Sequence, residues 1–211
     1  MILFGPTYKY ENKLYKQGYQ NIAGLDEAGR GAWAGPVVAA AVILPARMKI
    51  AGIRDSKLLS PQQREKLAVY INKQALAIGL GIISEKVIDQ QGIIPATRKA
   101  FLAAVERLRE KVDYLLIDGI RIFDHRLPNE FLVRGDRLVV SIAAASIVAK
   151  VVRDNILRDY HQHYPQYGFD LHKGYGTRLH KERLDEYGVC EIHRRSFRPM
   201  IENFEVLSWD D

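Results

Sequence analysis

The chain has 211 residues, of which 47% are hydrophobic and 27% charged, with a formal net charge of +6. Such a composition excludes a disordered or low-complexity chain, and the length suits one domain with a sizeable core. A single cysteine, Cys190, excludes a disulfide framework and a cysteine-rich zinc site, while the positive balance favours a polyanionic partner.

The longest apolar runs, Val37–Leu44 and Val139–Ala149, fall short of the ~20 residues that a bilayer span requires. Met1–Pro6 has neither the basic start nor the apolar run of a signal peptide. A soluble, cytoplasmic protein is therefore expected. Residues 1–19 interleave Tyr8, Lys9, Tyr10, Lys13, Tyr15 and Lys16. They read as a loosely packed lead-in, although basic and aromatic residues together also suit a nucleic-acid strand.

Ile22–Asp26 and Val37–Leu44 read as two buried strands of a hairpin. Between them Gly29, Gly31 and Gly35 surround Arg30 and Trp33. A strand end with two carboxylates, Asp26 and Glu27, before glycines that admit close backbone approach suits metal ligands beside bare N–H groups. A solvated hairpin turn accounts for the same residues. Asp55–Leu59 is a polar loop. Ser60-Pro61-Gln62-Gln63 is a capping box with proline at the first helical position, which predicts a helix over 61–75. A strand over 77–84 and an amphipathic helix over 95–111 follow. Val112–Asp118 is a strand-length apolar run that ends in a carboxylate. After a non-helical connection come Gly135 and Asp136, then a long helix over 141–160. Residues 164–177 are loop-like and rich in aromatics, glycine and base, and a short helix over 178–187 precedes the tail. Strands alternating with helices make the class α/β, and the opening hairpin makes the sheet mixed.

Asp26-Glu27, Asp118 and Asp136 each close a strand-type or glycine-flanked segment, and groups at strand ends converge in α/β sheets. Carboxylates brought together repel unless a cation lies between them, and an oxygen-only set selects Mg²⁺ or Mn²⁺. Adjacent strand residues point to opposite faces, so Asp26 and Glu27 serve one site only where the strand ends or bulges.

At this point the chain resembles the ribonuclease HII family of the RNase H-like superfamily. The matching segments are Gly24–Gly31, Asp55–Ser60, Leu116–Gly119, Gly135-Asp136, Ala144–Asp154, Pro165–Phe169, His172–Thr177 and His193–Phe197, in the family's order. The resemblance implies an RNase H-like fold over 20–190, a tail or helical extension over 191–211 and a lead-in over 1–19. It implies an endonuclease that hydrolyses the RNA strand of RNA–DNA hybrids and cuts 5′ of ribonucleotides embedded in DNA, leaving 3′-hydroxyl and 5′-phosphate ends, as in ribonucleotide repair and primer removal during replication. Asp26, Glu27, Asp118 and Asp136 match the catalytic acids, the first three as metal ligands for Mg²⁺ or Mn²⁺. Gly29, Arg30 and Gly31 match the turn that reads the ribose 2′-hydroxyl, and Tyr175 the tyrosine that stacks on the neighbouring deoxyribose. Lys57, Lys150 and Lys173 stand in matching motifs as phosphate contacts beside Arg30. Asp154 reads as an intrahelical ion-pair partner of Lys150 and Arg153, His172 and His193 as hydrogen-bonding scaffold, and Trp33 as packing. A monomer is expected, and a sliding-clamp contact stays open. The related ribonuclease HIII type carries an extra N-terminal domain and a different turn. A non-catalytic basic nucleic-acid binder has no use for four converging acids.

Overall fold

The computed structural model describes residues 5–53, 56, 59–198 and 200–201. Its framework is a five-stranded sheet in the order β3-β2-β1-β4-β5. The strands are β1 (Ile22–Ala28), β2 (Val37–Ile43), β3 (Ala77–Ile83), β4 (Tyr114–Asp118) and β5 (Asn129–Leu132). The first three pair antiparallel, whereas β4 runs parallel to β1 and β5 parallel to β4. The expected mixed α/β sheet is thus present.

β2 is buried along its whole length because both faces of the sheet are covered. On one face Val37, Ala39, Ala41 and Ile43 join Ala23, Leu25, Leu115 and Ile117 against α4 (Ile93–Glu106), chiefly Ala100, Phe101 and Ala104. On the other, Ala40 and Val42 meet α5 (Val140–His163) and α2 (Pro61–Gln74) through Ala144, Ala145, Val148 and Ile71. Small residues let α5 lie almost on β1. A Cβ added to Gly24 would fall 2.1 Å from the Ser141 carbonyl carbon, a contact that only glycine permits. The capping box of α2 forms as expected, with the Gln63 amide donating to Ser60 Oγ and the Ser60 amide to Gln63 Oε1.

Several elements differ from the sequence reading. Helix α4 starts earlier and stops earlier than expected, α6 (Phe169–His172) lies in the stretch read as loop-like, and α3 (Glu85–Gln91) is an additional helix between β3 and α4. β5 lies in the stretch read as a non-helical connection. The N-terminal segment is not loose. It forms α1 (Lys9–Lys16), whose Leu14 packs with Ile22, Leu116, Val139 and Ile142. Glu11 of α1 is buried, and its Oε1 accepts from both the amide and the hydroxyl of Ser141 at 3.0 Å. Val139, the residue at the α5 N-cap, offers no side-chain acceptor. A carboxylate from a distant helix therefore satisfies an orphan donor of the first turn and complements the helix dipole. No helix among the described residues is long and apolar enough to cross a membrane.

Candidate active site

A cleft of about 730 Å³ opens beyond the ends of β1 and β4 and is lined by Asp26, Glu27, Asp118 and Asp136. The topology explains why both members of the Asp26-Glu27 pair reach it. β4 pairs with β1 only as far as Leu25, opposite Ile117, while β1 continues to Ala28 along β2. The edge of β1 beyond Leu25 is open on the β4 side, so side chains from its two faces meet around it. Asp26 approaches from the α5 face and its Oδ1 accepts from the Glu27 amide at 2.7 Å. Glu27 approaches from the other face and pairs with Arg30 at 3.2 Å. Asp118 ends β4, and its Oδ1 accepts from the Gly135 amide at 2.6 Å. That bond anchors the 3₁₀ turn Gly135–Arg137, which carries buried Asp136 into the cleft.

Burial pushes the Asp26 carboxyl well above the usual carboxylate range, and the charges of Glu27 and Asp118 push it further. Hydrogen bonds from Ser146 and from the Glu27 amide act the other way. Glu27 is also raised, first by burial, with Arg30 opposing. The cleft thus concentrates negative charge that a cation would relieve. Its donors are oxygens, with neither histidine nor cysteine among its lining residues. Among the described residues no three histidine, cysteine, aspartate or glutamate side chains are placed to hold one metal ion together. Asp26, Glu27 and Asp118 each face a protein donor instead.

The Gly29-Arg30-Gly31 turn forms one wall and Tyr175 stands beside it. Ala32 bridges Tyr175 in antiparallel fashion, and the amides of Trp33 and Ala34 donate to the Gly174 carbonyl at 2.8 and 3.3 Å. From the C-terminal side Arg194 donates to the Gly35 and Arg30 carbonyls at 2.9 and 3.0 Å.

A family model described as ribonuclease HII matches residues 23–200. The chain belongs to the ribonuclease HII family. It is 53% identical over 188 residues to a ribonuclease HII of Acetivibrio thermocellus, covering 89% of this chain and 73% of that one. It is 48% identical over 205 residues to the Dehalococcoides mccartyi ribonuclease HII, covering 96% and 97% respectively. The crystal structure of the ribonuclease H2 from Pyrococcus horikoshii superposes with a TM-score of 0.79 at 26% identity, over 90% of this chain and all of that one. Family membership makes the chain a ribonuclease H, a hydrolase of RNA–DNA hybrids.

Within this ribonuclease HII framework the matched residues fall as follows. Asp26, Glu27, Gly29, Arg30, Gly31, Asp118, Asp136, Lys150 and Tyr175 all line the cleft. Lys57 and Asp55 lie outside the described residues. Lys173 does not line the cleft, and its ammonium donates to the Asp170 carbonyl. Lys150 holds Asp154 at 2.5 Å and stands 5.1 Å from the centre of the Tyr175 ring. The second partner of Asp154 is Arg64 on α2, at 3.2 Å, not Arg153, which points the other way into the loops.

Sequence reasoning missed four lining residues with polar side chains, Ser56, Arg134, Arg137 and Ser146. Ser56 and Ser146 share a hydrogen bond of 2.9 Å. A serine inside the apolar start of α5 was a usable signal for Ser146, because a buried hydroxyl needs a partner. Arg134 takes a left-handed conformation at φ 59°, uncommon for a residue with a side chain, and opens the turn that presents Asp136.

His172, His180 and His193 form the frame behind Tyr175. The Cys190 amide donates to His193 Nδ1 at 2.9 Å, so His193 Nε2–H donates to His180 Nε2 at 3.0 Å and His180 Nδ1–H to the Tyr175 carbonyl at 3.1 Å. His172 Nε2–H donates to the Tyr167 carbonyl at 2.9 Å and its Nδ1 accepts from Gly174 at 3.1 Å, with its ring stacked 4.2 Å from that of His180. Every ring nitrogen is used by a neutral imidazole. Burial accordingly pushes His180 down to about 3 and His193 down to about 4. In the unfolded chain both titrate near ~6.5. Below that pH the unfolded state binds protons that the folded state refuses, so stability falls as pH drops from ~6.5 towards 4. The urea midpoint should decline across that window, and replacing His180 by Gln should flatten part of the decline. A midpoint independent of pH there would contradict the neutral frame.

Proposed function

We propose that the cleft hydrolyses a phosphodiester on the 5′ side of a ribonucleotide, in hybrids and at ribonucleotides embedded in duplex DNA, leaving 3′-hydroxyl and 5′-phosphate ends. The observation that carries this reading is the convergence of four acids on one cleft whose other wall is a glycine-arginine-glycine turn with a tyrosine beside it. Asp26, Glu27 and Asp118 are the residues that would hold Mg²⁺ or Mn²⁺, with Asp136 completing the set. The fit rests on oxygen donors alone and on a carboxylate raised by the charges of its neighbours. A bound divalent cation would polarise the phosphate and lower the pKa of a water.

The chain's own groups do the rest. Ser146 and the Glu27 amide hold the Asp26 carboxylate towards the cleft. The Gly135 amide fixes Oδ1 of Asp118 at the end of β4 and so orients its carboxylate. Backbone N–H and C=O groups of Gly29–Gly31 can both donate to and accept from a 2′-hydroxyl, the group that separates RNA from DNA. The ring of Tyr175 packs against a sugar lacking that hydroxyl and rejects one that has it. Arg30 and Lys150 supply positive charge for the flanking phosphates.

The decisive assay uses a DNA duplex with one ribonucleotide. A nick on its 5′ side should appear with Mg²⁺ or Mn²⁺ and vanish with chelator. No cation-dependent nick at that position would sink the proposal. Tyr175→Ala should reduce the preference for the embedded ribonucleotide over continuous hybrid about tenfold, the scale of one lost stacking contact. An unchanged preference would remove Tyr175 from junction recognition.

A further inference from the structure

Arg153 is fully buried on α5, beneath the Gly29–Gly35 turn rather than in the cleft. Its Nε donates to the Pro36 carbonyl at 3.0 Å and its Nη2 to the Ala34 carbonyl at 2.9 Å. Its Nη1 donates to the Lys173 carbonyl, also at 2.9 Å. The first two acceptors lie at the end of the glycine-rich turn, and the third leads into Tyr175. The centre of the guanidinium lies 5.0 Å from the Tyr175 ring. A Cβ added to Gly29 would fall 2.0 Å from Arg153 Nε, so the guanidinium also occupies the flank of the turn itself.

A buried guanidinium is a costly way to fill space, because desolvating the charge opposes folding. An aliphatic side chain would pack there with no such penalty. What the planar fork adds is directed donors in fixed relative orientation, which no single ammonium reproduces. Arg194, also fully buried, makes a useful contrast. It donates to the Gly35 and Arg30 carbonyls, both in the turn segment, and to no carbonyl of the Tyr175 segment. Of these two buried arginines, Arg153 is the one whose side chain hydrogen-bonds to both segments.

We infer that Arg153 is a specificity-determining positioning residue, which fixes the spacing between the Gly29-Arg30-Gly31 turn and Tyr175 so that both engage the sugars on either side of one junction. This rests on the recognition roles proposed above for the turn and for Tyr175. A ruler between two recognition elements acts only while both are present. Loss of Arg153 should therefore matter through Tyr175, whereas a general loss of stability would matter with or without it.

The test is a double-mutant cycle on R153K and Y175A. The readout is the ratio of kcat/KM for a duplex with one embedded ribonucleotide to that for continuous hybrid, with Mg²⁺. R153K should lower the ratio about tenfold, since small misplacements at a recognition site carry large rate penalties. In the Y175A background R153K should change the ratio by less than about twofold. An unchanged ratio in R153K beside a defective Y175A overturns the inference alone, as does full additivity of the two substitutions. An unchanged ratio in Y175A overturns the underlying recognition reading. Should R153K fail to fold, amide exchange in the unaltered protein decides. Residues 32–34 and 174–175 should open together with one protection factor, and independent opening overturns the coupling.

Discussion

Asp118→Asn is expected to lower kcat on a duplex with one ribonucleotide by at least about a thousandfold while leaving its Kd within about threefold. The substitution is close to isosteric. The amide oxygen of asparagine still accepts from the Gly135 amide, a bond of 2.6 Å in the native protein, so the turn that presents Asp136 stays in place. What disappears is a negative charge facing Asp26 and Glu27. Because that charge raises Asp26, its removal relieves repulsion, and the thermal midpoint of the cation-free variant should be no lower than that of the native protein. Lost turnover in a protein at least as stable separates chemistry from folding. Gel-based single-turnover rates and a binding isotherm in Ca²⁺ would measure the two quantities, and a variant with native turnover would remove Asp118 from the site.

Gly29→Ala is expected to reduce kcat/KM at an embedded ribonucleotide about a hundredfold. Its φ is +97°, where a side chain is strained, and the new methyl would meet Arg153 Nε at 2.0 Å and the Pro36 carbonyl oxygen at 2.8 Å. Arg153 is held by three carbonyls and has no free direction in which to retreat. The turn must shift instead, and a shift of about 1 Å at a positioning element is enough for a loss of that size. Alanine at Gly31 serves as the comparison, because a Cβ there meets nothing within 4 Å and the φ is ordinary. Kinetics on the two alanine variants would check the claim. Equal losses would mean that substrate contact, not the packing of Gly29 on Arg153, sets the penalty.

What the sequence disclosed follows from how local each signal is. The strands β1 and β2 were legible because they are apolar along their length, and α2 because its capping box is written in consecutive residues. Asp118 and Asp136 were legible as acids beside glycines at segment ends. β5 was not, since it is a four-residue, half-buried strand that pairs parallel with β4, and no turn joins the two. Helix α1 was hidden because its buried positions, Glu11 and Leu14, are few, and the meaning of Glu11 lies in Ser141, far along the chain. Arg153 was read as a neighbour for Asp154, which the one-residue spacing suggested. Its partners are carbonyls, which carry no sequence signature at all. The reach of Glu27 to the cleft depended on where β4 stops, a property of pairing register.

The grip of Glu11 on Ser141 has a consequence for where this chain can be cut. The family model matches from residue 23, after α1. A protein trimmed to that boundary would keep every cleft residue and lose the acceptor for the first turn of α5. It would also lose the apolar cover that Leu14 and Ile22 give to Leu116 and Ile142. α5 carries Ser146, Lys150 and Arg153, so the trimmed end would fray towards the very residues the similarity was meant to preserve. The span that the family model matches is therefore narrower than the span that holds the working helix taut.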